Sequence, residues 1–137
     1  LKPASFFPGI AWLTLVTVLL CLPGSTLPKN PFFESIHADK WIHISLFAIL
    51  FLLFARPFRN REIKKKDNWL PQIALGCVCF GIAMEFVQKY WVPNRSFELQ
   101  DILADTAGTM LGWLISRKIW DWGKKIGPDR NRDRNQN

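Results

Sequence analysis

Glu85, Gln88, Asp101 and Asp105 stand inside or at the edge of long apolar runs. Three of the four are acidic, and each takes a place where the surrounding pattern asks for hydrocarbon. Ionisable side chains in such places are expensive, and in a membrane they mark a functional site by default. Asp39, Lys40 and His43 open another apolar run, and Arg95 lies in the short link between the last two. Asp39 and His43 are four apart, Glu85 and Gln88 three, and Asp101 and Asp105 four, so each pair shares one face of a helix.

Several chemistries suit such a set. Three carboxylates and a histidine can hold a metal, but no H-E-x-x-H spacing is present, and no metal or cofactor is assigned. A carboxylate in low dielectric can hold a proton. Combined with Lys40 and Arg95, the acids can form a mixed-charge cavity for a zwitterionic or anionic headgroup. No Ser-His-Asp or Cys-His grouping is recognisable. Each residue alone also has a plain structural reading. His43 can be an interfacial histidine, Asp101 a first-turn acid favoured by the helix dipole, and Asp39-Lys40 a solvated pair at a helix entrance. Glu85 resists that treatment most, because it lies about two turns inside the end of its run.

The elements that must carry these residues follow from the apolar runs. The 137-residue chain is one domain at most, 49% hydrophobic, with seven Trp and eleven Phe. Its Trp residues gather near the ends of apolar runs, as in the aromatic belts of membrane interfaces. The net charge of +7 comes from two basic stretches and not from one basic face, which argues against a nucleic-acid partner. Cys21, Cys77 and Cys79 all lie in apolar runs and read as small core residues. The pattern predicts an all-α membrane protein with four transmembrane helices, at about 8–22, 39–56, 69–92 and 97–120. The first is read as a retained helix and not as a cleaved signal peptide. Residues 1–122 form the membrane domain, and 123–137 a disordered charged tail. The segment 23–38, rich in Pro, Ser and Asn, is a loop that can lie along the membrane through Phe32 and Phe33.

Lys and Arg crowd the link between the second and third helices and the C-terminal flank. The positive-inside rule then puts both termini in the cytoplasm. With that orientation, Asp39 to His43, Glu85 and Gln88, and Asp101 and Asp105 all fall at one depth, near the outer leaflet. Asp101, Asp105, Gly108 and Gly112 form one stripe, and Cys77, Gly81, Glu85 and Gln88 another. Small residues at such spacing admit a close neighbour, so Gly81, Gly108 and Gly112 are expected to pack the third and fourth helices together.

This combination resembles the VanZ-like family of small bacterial membrane proteins. The matching residues are Asp39-Lys40-x-x-His43, Glu85-x-x-Gln88, Arg95, and Asp101-x-x-x-Asp105-x-x-Gly108-x-x-x-Gly112. They cover about 39–112; the first helix fits by position only. Position 105, usually Asn in that family, is Asp here. The resemblance implies a cell-envelope role at the outer face of the bacterial cytoplasmic membrane, and its namesake is associated with teicoplanin resistance. Two functions are carried forward. In the first, the chain binds membrane lipids or a lipid-linked cell-wall precursor, with Lys40 and Arg95 meeting anionic groups. In the second it is an intramembrane enzyme on such a substrate, with Glu85 or Asp101 as general base or metal ligand. A proton-coupled transport component is a third reading, and it would need a homo-oligomer to make a path.

Overall fold

In the computed structural model, residues 3–23, 38–59 and 63–126 are described, with backbone alone for 63–68 and 120–126. Every regular element among them is helical. A short 3-10 turn, Pro3–Phe6, leads into α1, Phe7–Leu20. Helix α2 spans Ala38–Ala55 and ends in a 3-10 turn at Arg56–Phe58, where Pro57 denies the backbone a donor. Helix α3 spans Ile63–Trp91, and α4 spans Leu99–Ile126.

Two helices are longer than their apolar runs. The apolar pattern starts α3 at Trp69, but the helix begins at Ile63, so half of the expected basic loop is its first turns. Lysines are good helix formers and need no apolar partner there. Helix α4 likewise runs past Trp120 to Ile126, since no strong breaker precedes Gly127-Pro128. The tail from 127 onward, and the 24–37 loop with Phe32 and Phe33, lie outside the described residues.

Pro3–Leu20, Ala38–Phe58 and Trp69–Trp91 are long and apolar enough to cross a membrane. Helix α4 has the length, at 28 residues, but polar positions dilute it. The helices alternate in direction. The start of α1 lies by the end of α2, where Phe6 meets Phe58 and Gly9 packs under the Phe54 ring. The end of α1 lies by the end of α3, where Gln88 Nε2 donates to the Leu20 carbonyl (2.9 Å). Helices α2 and α4 run side by side in the same direction, and α3 runs opposite to both.

The closest seam is α2 against α4. A Cβ on Gly108 would strike the backbone of Ile44, and one on Gly112 would lie 2.7 Å from the Ala48 carbonyl oxygen. The glycine stripe of α4 therefore faces α2, and not α3 as the small-residue pattern suggested. Only Gly81 serves the α3–α4 contact, where a Cβ would lie 2.6 Å from Asp105 Oδ2. Phe47, Leu50, Phe51 and Val16 fill the core below.

The aromatic and cysteine expectations divide in the same way. Trp41, Trp69 and Trp91 are exposed near helix ends. Trp12 instead donates its indole N–H to the Leu46 carbonyl (3.0 Å), and Trp113 stacks on Phe51. These two hold helices together and form no belt. Cys77 is buried, but Cys79, two positions on, faces outward.

Candidate functional site

At the end of the bundle where α2 and α4 begin and α3 finishes, seven polar side chains gather. Their helix positions explain why. Asp39, Lys40 and His43 occupy the first two turns of α2, Glu85 and Gln88 the last turns of α3, and Asp101 and Asp105 the first turns of α4. Parallel α2 and α4 keep their registers together, so Lys40 meets Asp101 and, one turn deeper, His43 meets Asp105. The neighbouring turn down is the glycine seam, which sets how near these side chains come.

Lys40 stands at the rim. Its ammonium donates to Glu98 Oε2 (2.7 Å) and Asp101 Oδ1, and forms an ion pair with Asp39 Oδ2 (2.9 Å). It is thus already set against three carboxylates. Asp39, Glu98 and Asp101 present oxygens within 4.8 Å of one another, close enough to suit a metal ion. The Lys40 ammonium already sits among these oxygens, and an ion would have to displace it.

Below the rim, His43 lies between two carboxylates. Its Nδ1 is 2.8 Å from Asp105 Oδ1, and its Nε2 is 3.7 Å from Asp101 Oδ2. A carboxylate can only accept, so against an ionised Asp105 the proton sits on Nδ1. The second oxygen, Asp105 Oδ2, is buried with no hydrogen-bond partner and fills the notch left by Gly81. One turn deeper on the same face, Thr109 Oγ1 is also buried and unpartnered. Buried polar atoms almost always find partners, so two orphans in one stripe single out this face.

Glu85 is 1% exposed and lies within electrostatic range of His43, Asp101 and Asp105. Its Oε2 accepts the backbone N–H of Glu98 (2.8 Å), the residue just before α4. A carboxylate at a helix start satisfies an orphan donor and meets the positive end of the dipole. Glu85 thus ties α3 to the start of α4, and Gln88 ties α3 to the end of α1. Both are built into the scaffold as well as into the site.

Arg95 is the sequence-predicted residue that stays apart. It follows Asn94, whose φ of 58° turns the chain between α3 and α4. Arg95 makes no ion pair or hydrogen bond among the described residues, and its Nε is buried without a partner. Conversely, Glu98 and Thr109 belong to the cluster without having been predicted. Thr109 was open to discovery, being four residues beyond Asp105 on its stripe. Glu98 was open to discovery too, standing three residues before Asp101 in the expected 97–120 helix, although α4 starts one residue after it.

Chemically the cluster offers two things. The His43–Asp105 pair is a carboxylate-oriented imidazole, a form suited to moving a proton. The surrounding acids gather carboxyl groups at that end of the bundle. No curated protein and no solved structure matches the chain. A family model described as VanZ/LLP1 matches residues 6–120, which takes in α1 to α3, most of α4 and every residue of the cluster. The chain belongs to the VanZ-like family, and with its long apolar helices it is a membrane protein.

Proposed function

We propose that the chain crosses the bacterial cytoplasmic membrane four times, with both termini inside. Its cluster would then bind a lipid or lipid-linked envelope component from the outer leaflet. One observation carries this reading: buried polar groups from three helices converge at one end of the bundle, and two of them, both on α4, lack a partner. Asp105 Oδ2 and Thr109 Oγ1 are buried there without a hydrogen-bond partner among the described residues. A scaffold made only for stability would place apolar residues at these positions, since burying unpaired polar groups is unfavourable. The basic residues Arg56, Arg59, Arg117 and Lys118 sit toward the opposite end, which supports placing the cluster outside.

The test combines binding and cell physiology. A photoreactive phospholipid added to the purified full chain is expected to label the rim peptide around Leu99. In a sensitive Gram-positive host, expression is expected to lower teicoplanin susceptibility, and Glu85→Ala at equal membrane abundance to abolish the protection. Labelling confined to the opposite end of α4 would refute the binding site. Equal susceptibility with and without the protein would remove the link to glycopeptide action.

A second reading has one specific observation in its favour, the 2.8 Å contact of His43 Nδ1 with Asp105. It makes His43 the candidate base of an intramembrane enzyme. Glu85 and Asp101 suit that role less, being engaged by Glu98 N–H and Lys40. Turnover of envelope lipids by the purified protein, lost in His43→Gln, distinguishes an enzyme from a binder.

A further inference from the structure

The chemistry of the ligand can be narrowed by asking which groups of the cluster remain available. Lys40 was the natural receptor for a phosphate, but it is already set against three carboxylates. Arg95 makes no ion pair or hydrogen bond among the described residues; its Nε–H is a buried donor without a partner, and no carboxylate of the cluster is set against it. What is left within the cluster is the second oxygen of Asp105, which accepts when ionised, and the Thr109 hydroxyl, which can accept or donate; both are on residues 1% exposed.

The charges point the same way. Glu85, Asp101 and Asp105 are three buried carboxyls, and the cations set against them are Lys40 and His43. With His43 protonated, one carboxyl still lacks a counter-charge among the described residues. Asp39 and Glu98, at the rim, add two more negative charges that share the same Lys40 ammonium. An excess of negative charge in a place of low dielectric attracts a cation and repels an anion.

From this geometry we infer that the site recognises a positively charged group, an ammonium. It does so through Asp105 and the acidic rim, and phosphates are not its target. The inference rests on the reading of the cluster as a ligand site and names the ligand class. An ammonium would pass the Asp39–Glu98 rim and approach Asp105 on its Oδ2 side, where α4 faces Gly81 of α3. It would donate to Asp105 Oδ2, and Thr109 Oγ1 could accept from it as well. The same chemistry is found on an amine-bearing lipid headgroup and on a free amine.

The experiment uses the full chain in detergent with three probes. These are an ethanolamine-headed phospholipid, a glycerol-headed phospholipid with identical acyl chains, and ethanolamine itself. Occupancy is followed by native mass spectrometry and by the shift in melting temperature. The ethanolamine-headed lipid is expected to half-saturate at about tenfold lower concentration than the glycerol-headed one. Asp105→Asn is expected to narrow that ratio to about twofold, and Glu98→Gln, at the half-exposed rim, to reduce it by a smaller factor. Should Asp105→Asn fail to fold, Glu98→Gln alone still decides. Equal or tighter binding of the glycerol-headed lipid would overturn the ammonium inference while leaving lipid binding in place. An unchanged preference in both variants would overturn it too. Protection by ethanolamine with no binding of either lipid would support the ammonium and sink the lipid reading. Binding of none of the three would overturn both.

Discussion

Lys40 joins a buried carboxylate to two exposed ones, and only the buried arm contributes much. Asp39 and Glu98 are about half exposed, so solvent screens their pairing with Lys40. Asp101 is buried, and removing its partner would strand a charge. Lys40→Met is therefore expected to destabilise the protein by about 3 kcal/mol, measured by denaturation in detergent. Adding Asp101→Asn should recover most of that loss; a purely additive double mutant would show that the two residues are not coupled. Asp105→Asn is expected to change stability by less than about 1 kcal/mol. The amide oxygen still accepts from His43, and no charge is left to neutralise. At this scale the sequence revealed most of what matters. Acids and a histidine at helical spacing inside apolar runs, with Lys40 and Gln88 beside them, identified seven of the clustered residues. It could not reveal that Lys40 is paired with three carboxylates, because that depends on how α2 is set beside the start of α4. Nor could it show that Arg95, placed in the right loop, stays unpaired.

Between elements, the decisive contact is backbone against backbone. A glycine pair says that a neighbour comes near, without saying which one, and here the neighbour of Gly108 and Gly112 is α2. The directions of the helices, not the composition of their stripes, decide this. Parallel α2 and α4 can bring Lys40 to Asp101, His43 to Asp105 and Ile44 to Gly108 in one continuous register. Gly108→Ala is expected to destabilise by about 2 kcal/mol, because the carbonyl of Ile44 cannot move aside without bending its helix. Gly76 has nothing within 4 Å of its added Cβ, so Gly76→Ala should stabilise by up to about 1 kcal/mol through helix propensity. If both alanines behaved alike, the seam would not be as close as described. The Glu85 contact with α4 is tested by hydrogen exchange at the Glu98 amide. Glu85→Ala is expected to speed it markedly, while Glu85→Gln, which keeps an acceptor, should hold it near the native rate.

Over the whole molecule, alternating helices place the acid cluster at one end and the basic ends of α2 and α4 at the other. Hydropathy and charge made this architecture legible, because a spanning helix needs length and apolarity and little else. The extra turns of α3 and α4 were not legible, since they lie beyond the apolar windows and depend on the absence of breakers. A fluorescent reporter fused to the C-terminus is expected to fluoresce in the cytoplasm, with a periplasmic phosphatase fusion at the same place inactive. The opposite result would move the cluster to the inner leaflet. The most direct measurement of the central claim is retention of lipid by the purified full chain through progressive delipidation. It compares the native protein with His43→Gln/Asp105→Asn by native mass spectrometry, with melting temperature as the control for folding. The cluster as described predicts a lipid held by the native protein and lost by the double variant at similar melting temperature. Equal retention by both would contradict it, and would make the buried acids and histidine part of the scaffold alone.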